Sequence, residues 1–288
     1  MKTQTVSVPG ATLTYDVLGE LEPGVIPLVL IGSPMDATGF GTLTSHFTDR
    51  VVVTYDPRNT GRSRRDDPTA AVSFDDHAED LHAVLNALGS GPVDIFASSG
   101  GAVNGLALVA RYPGDVRTLV AHEPPAGGAL DDRENIVSVC TDMVSTYDSQ
   151  GLGPAMVKFM ALLMHMGPID DAFLAQPAGD PAQFGFPAED DGARDDPLMS
   201  NMRGGGVDFV PDVDAIGAAP IRVVIGVGEE SGGPDDGHIA ARAAHKAAAL
   251  LGLKPVIFPG GHSGFLGGEF GQMGKPTEFA ATLRTVLG

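Results

Sequence analysis

The residues best suited to chemistry sit in two short glycine-rich stretches. The first follows the apolar run Val93–Phe96 and reads Ala97-Ser98-Ser99-Gly100-Gly101, with an apolar helical stretch after it from Ala102 to about Tyr112. A strand that turns sharply into a helix lifts one side chain above the sheet, and the positions two before and two after that side chain must be small. For Ser99 these are Ala97 and Gly101; for Ser98 they would be Phe96 and Gly100, and the phenylalanine would clash. The pattern selects Ser99 as a candidate nucleophile, against the plainer account of a glycine-rich turn with two incidental serines. The second stretch follows Pro255–Phe258 and reads Pro259-Gly260-Gly261-His262-Ser263-Gly264. It sets a histidine in a loop at the C-terminal edge of the last strand, where doubly wound sheets gather ligands and catalytic groups. An imidazole there can serve as the base for a serine. Among the other histidines, His77, His82, His238 and His245 fall on predicted helices beside charged or small residues and read as solvated helix faces.

Positioning these groups requires an alternation of strands and helices, and the chain supplies one. Apolar runs bounded by turn residues recur at Pro27–Ile31, Val51–Tyr55, Val93–Phe96, Thr118–Ala121, Ile221–Ile225 and Pro255–Phe258. Strands that read as continuous apolar runs are buried on both faces, which predicts a mostly parallel, doubly wound α/β sheet. Thr5–Val8 and Leu13–Val17, joined by Pro9-Gly10-Ala11, predict an antiparallel hairpin at its edge. Ser73 and Asp76 cap a predicted helix that Gly89 ends, and His238–Leu251 and Pro276–Leu287 are further predicted helices. Between about Ala126 and Ala219 the strand pattern stops and helices with Gly, Pro and Asp-rich joints replace it. The division expected is a core of residues 1–125 and 220–288 with a helical cap inserted at 126–219, whose stretch Gln176–Asp196 reads as a loop or flap.

Composition narrows the partners. The 288 residues carry a formal charge of −19, which repels phosphate backbones and anionic lipid surfaces and argues against a nucleic-acid partner. No run of about 18 apolar residues is present to span a bilayer. The N-terminus lacks an apolar stretch before a small-residue cleavage site, so a cytoplasmic location is expected. The single cysteine, Cys140, allows no internal disulfide and no multi-cysteine metal cluster, and reads as a small buried apolar residue. No HExxH occurs, and Gly226-Val227-Gly228 lacks the third glycine of a dinucleotide fingerprint. We expect neither metal nor cofactor, a small-molecule substrate, and a monomer or homodimer.

Together, the turn Ile31-Gly32-Ser33-Pro34, the segment Asp56–Ser63, the elbow Ala97–Gly101 and the terminal His262 make the chain resemble the α/β-hydrolase superfamily over nearly its whole length. The resemblance departs at Ile31, where the family often has histidine, and at Ala97, where glycine is commoner. It implies an oxyanion hole from the amides of Ser33 and Gly100, since Pro34 has no N–H. It also implies a triad acid, for which two residues compete. Many relatives place an aspartate just after the strand here written Ile221–Ile225, which would point to Glu229, or to Ser231 if Gly228 rather than Gly226 is the turn glycine. Others take their acid one strand earlier, which points to Glu123, with Pro124 and Pro125 to hold it steady. Glu123 is preferred and Glu229 stays open. In the cap, Met156, Met160 and Met164 recur every four residues with Phe159 close by. Such a stripe is ordinary helix packing, but in a cap the buried face lies over the site. Met156, Phe159, Met160 and Met35 are therefore candidate lining residues of a pocket for a small or medium apolar ester or lactone. The same residues could serve a lyase, cyclase or epimerase of the superfamily, or a silent ligand-binding relative.

Overall fold

The structure is a computed structural model that describes residues 1–187 and 189–288. Strands β1 (Lys2–Val8) and β2 (Ala11–Leu18) pair antiparallel with Val8 opposite Ala11. Their turn is thus the dipeptide Pro9-Gly10, one residue shorter than the sequence suggests. Proline fixes φ at its first position and Gly10, at φ 73, takes the left-handed second position. The chain continues through β3 (Leu28–Ile31), α1 (Gly41–Ser45), β4 (Val52–Asp56), the short β5 (Arg64–Arg65), α2 (Phe74–Leu88), β6 (Val93–Ser98), α3 (Gly100–Arg111) and β7 (Val116–His122). Helices α4 (Arg133–Gln150), α5 (Leu152–Met164), α6 (Asp171–Leu174), α7 (Pro197–Arg203) and α8 (Val213–Ala218) follow before the sheet resumes. It closes with β8 (Arg222–Gly228), α9 (Ile239–Leu250), β9 (Val256–Phe258) and α10 (Pro276–Leu287).

Among the described residues the strands form one sheet in the order β1-β2-β4-β3-β6-β7-β8-β9, with β5 beside β2. From β4 to β9 every neighbouring pair is parallel. Successive side chains enter opposite layers, as the pleat demands. Val29, Ile95, Ala97, Leu119 and Ile225 join the layer under α2, α3 and α9, while Leu28, Leu30, Phe96, Val120 and Val224 join the layer with α1 and α10. A third apolar cluster binds α4, α5 and α7 to Ile239 and Ala243 of α9. The helices between β7 and β8 therefore have their own core and an anchor on the sheet layer.

The chain leaves β3 toward β4 on one side and returns to β6 on the other, so strand order reverses between β3 and β6. At such a reversal the connections diverge and leave a crevice at the carboxyl ends of the strands. The loop after β3 and the start of α3 border it. Helix α2 begins as the sequence predicts: Ser73 Oγ accepts from Asp76 N, the Asp76 carboxylate accepts from Ser73 N, and Gly89 ends the helix at φ 65. No described helix is long and apolar enough to cross a membrane.

Candidate active site

Ser99 stands between β6 and α3 with φ 56 and ψ −129, a conformation that costs a non-glycine residue of the order of 1–3 kcal/mol. The strain is held by neighbours on both sides. Ser99 N donates to His122 O of β7 at 3.0 Å, and the next turn of α3 closes on Ser99 O. Glycine is needed at the two following positions because α3 starts almost against the β3 loop. A Cβ on Gly100 would lie 2.6 Å from Ser33 O, and one on Gly101 would lie 2.4 Å from Ile31 O. The same close approach brings the backbone of Ser33 beside that of Gly100. Neither amide donates to another group among the described residues. The β3 loop is pinned from the far side by Asp56, whose carboxylate accepts from Ala37 N at 3.0 Å and from Arg62 N at 2.9 Å.

Glu123 directly follows β7, at φ 48, and is fully buried. Its Oε1 accepts from Gly228 N at 2.8 Å and its Oε2 accepts from His262 Nδ1 at 2.6 Å. The hydrogen bond fixes the imidazole with its proton on Nδ1 and leaves Nε2 to face away from the acid. Burial alone would push the Glu123 carboxyl up, but the His262 bond and the neighbouring imidazoles outweigh it and hold it down at about 2. His122, one residue earlier, is buried among Phe96, Phe258 and Phe279, with its ring centre 6.4 Å from that of His262. Burial pushes its imidazole down to about 4, so it is neutral near pH 7.

Glu229 lies at the end of β8, one strand over, and meets a different fate. Its carboxylate is solvent-facing, pairs with Lys275 and accepts from Gly260 N at 3.2 Å. It braces the root of the His262 loop and makes no bond to the imidazole. The structure thus brings Ser33, Gly100, Ser99, Glu123 and His262 to the carboxyl ends of β3, β6, β7 and β9, and leaves Glu229 outside.

Ser99, Gly100 and Ser33 open into a cavity of about 100 Å³ whose walls include Val72, Phe74, Val103, Phe159, Leu162 and Leu198. An open groove of about 590 Å³ lies beside it, lined by His262, Met164, His238, Met273 and Lys275; Leu163 and Ala240 belong to both walls. Of the four lining candidates, Phe159 faces the cavity. Met156 packs into the helical cluster instead, Met160 is half-buried outside the cavity wall, and Met35 folds back into the gap between Gly32 and Gly39. The face that α5 turns to the cavity is Phe159, Leu162 and Leu163, an i, i+3, i+4 set, rather than the methionine stripe beside it.

Three polar residues in the cavity wall escaped the sequence reading: His77, Asn104 and Asn201. His77 is only 3% exposed, which corrects the expectation of a solvated helix face. The signal was present, since His77 shares the i, i+4, i+7 stripe of Leu81 and Val84, both buried on α2. Burial pushes its imidazole below the usual histidine range. Cys140 is buried on α4 with its thiol pushed up to about 11 by burial. No cluster of three or more His, Cys, Asp or Glu side chains suited to a metal occurs among the described residues.

Comparison with known proteins bears on the fold. A family model described as "alpha/beta hydrolase fold" matches residues 42–195, just over half of the chain. The uncharacterized hydrolase YraK of Bacillus subtilis (strain 168) is 36% identical over 121 residues, 42% of this chain and 44% of that protein. The aligned part is thus less than half of that relative's length. Two solved structures superpose over nearly the whole chain. The enol-lactonase of Burkholderia xenovorans LB400 has a TM-score of 0.67 at 15% identity, covering 99% of each chain. The esterase of Thermogutta terrifontis has a TM-score of 0.69 at 18% identity, covering 100% of this chain and 98% of that one. At these identities the likeness is one of fold. Because that family match spans more than half of the chain, the chain belongs to the alpha/beta hydrolase fold family.

Proposed function

We propose that this protein is a serine hydrolase that cleaves small or medium apolar esters or lactones through an acyl-enzyme on Ser99. The observation that carries the reading is the coupling of His262 to the buried Glu123 at 2.6 Å, across the strand ends from a serine held at φ 56. In the first half-reaction Ser99 Oγ attacks the substrate carbonyl while His262 Nε2 takes the hydroxyl proton. Glu123 stays ionised and stabilises the imidazolium that forms. The amides of Ser33 and Gly100 receive the oxyanion, which Pro34 cannot do. As the tetrahedral intermediate collapses, His262 returns the proton to the leaving alkoxide. A water deprotonated by His262 then attacks the acyl-enzyme, and Ser99 leaves as the alcohol with the proton restored. Oxyanion stabilisation of this kind is worth a few kcal/mol per donor.

The apolar wall of the cavity supports an aliphatic or small aromatic acyl group, and the adjoining groove leaves room for the alcohol portion. The named activities of the two fold relatives, a lactonase and an esterase, are in keeping with this class. A fluorophosphonate probe tests the reading. Folded wild-type protein should label at Ser99, Ser99→Ala should not, and a panel of p-nitrophenyl esters and lactones should show turnover falling as the acyl chain outgrows the cavity. Folded wild-type protein that neither labels nor turns over any member of the panel would reject it.

A further inference from the structure

The cavity wall carries a directional chain of hydrogen bonds that joins three parts of the molecule. His77 of α2 contacts Asn201 Oδ1 of α7 through Nε2 at 2.9 Å, and Asn201 Nδ2 donates to Ser33 Oγ at 3.2 Å. An amide oxygen only accepts, so His77 carries its proton on Nε2, in keeping with a buried imidazole held neutral. Asn201 then spends its oxygen on His77 and one N–H on Ser33. The Ser33 hydroxyl accepts that bond and still has its own proton to give, and no acceptor among the described residues takes it. Ser33 lines the same cavity as Ser99 and Gly100, and its Cβ lies 3.4 Å from where a Gly100 Cβ would stand.

We infer that the Ser33 hydroxyl is a third oxyanion donor, aimed and polarised by Asn201 and His77 acting as positioning residues. The inference rests on the acyl-enzyme reading above. Each bond in the chain orders the next, and hydrogen bonds in series strengthen one another in a low-dielectric wall. Asn201 belongs to the helical segment between β7 and β8, so the third donor is set only when that segment is seated on the sheet. The seating of α7 thereby bears on catalysis as well as on access to the cavity.

The test separates transition-state from ground-state binding. A trifluoromethyl ketone with a short alkyl chain forms a tetrahedral adduct with Ser99, whereas the matching methyl ketone stays trigonal. Ser33→Ala should weaken the trifluoromethyl ketone roughly 10- to 100-fold and leave the methyl ketone within about twofold. Asn201→Leu should weaken the adduct several-fold in the wild-type background and have no further effect once Ser33 is alanine. A loss shared equally by both ketones in either variant, or a fully additive double variant, overturns the inference. Undiminished adduct affinity in Ser33→Ala also overturns it, because the hydroxyl would then contribute nothing to the oxyanion. Fluorophosphonate labelling of the wild type keeps the two readings apart: labelling with an unaltered Ser33→Ala sinks the third donor alone, while no labelling of the wild type sinks the serine mechanism itself.

Discussion

Glu123 and Glu229 each directly follow one of the neighbouring parallel strands β7 and β8. Their surroundings differ completely. Glu123 is sealed under His262, with both carboxylate oxygens engaged by fixed donors and its backbone held at φ 48. Glu229 stands in solvent with a flexible lysine and a single backbone N–H, that of Gly260, for partners. The difference shows what makes a carboxylate able to orient an imidazole. Fixed donors define the oxygen positions to a fraction of an ångström, whereas a surface ion pair is screened by water and salt. Gly228 is the hinge of the contrast, because its N–H serves Glu123 while its lack of a side chain lets the His262 loop approach. A Cβ there would lie 2.8 Å from Gly260 O.

The largest way to sharpen this contrast is Glu123→Gln, which keeps the shape and removes the charge. Turnover of the best ester should fall on the order of 10³- to 10⁴-fold with KM little changed, as expected when the imidazolium loses its counter-ion and the ring its tautomer. Glu123→Asp keeps the charge and withdraws it by one methylene, and should cost about 10²-fold through misplacement alone. Next comes acid stability. The folded Glu123 carboxyl is held at about 2 against an ordinary 4.5, so its contribution is complete above about pH 4.5 and is lost as pH falls toward 2. Denaturant titrations from pH 7 to pH 3 should find wild type losing stability more steeply below pH 4.5 than Glu123→Gln. Equal slopes would mean that the buried pair is not linked to folding. The smallest effect is expected of Glu229→Gln, with activity within about twofold of wild type. A collapse there with Glu123→Gln still active would reverse the roles given to the two residues.

Much of the fold was legible because the sheet is buried on both faces, and each inner strand reads as an uninterrupted apolar run. The helix boundaries at Ser73 and Gly89 were legible too, since capping chemistry is local. So was the steric choice of Ser99 over Ser98, which needs only Ala97 and Gly101. Four matters were not legible, and each depends on contacts between distant parts of the chain. The partner of His262 depends on which of two strand ends the last loop folds over. The cavity-facing side of α5 depends on how that helix is rotated against α4 and α9, which places Phe159 inward and Met160 aside. Met35 depends on the gap between Gly32 and Gly39. The hydrogen-bond partner of His77 depends on α7 arriving from more than a hundred residues away to supply Asn201.

The sequence by itself determined the parallel sheet, the serine turn and the histidine loop, because apolar periodicity, capping and the exclusion of a bulky neighbour act within a few residues. Only the tertiary structure decided which carboxylate meets His262 and which side chains wall the cavity. Those outcomes turn on ångström-scale packing of segments that the chain order leaves far apart.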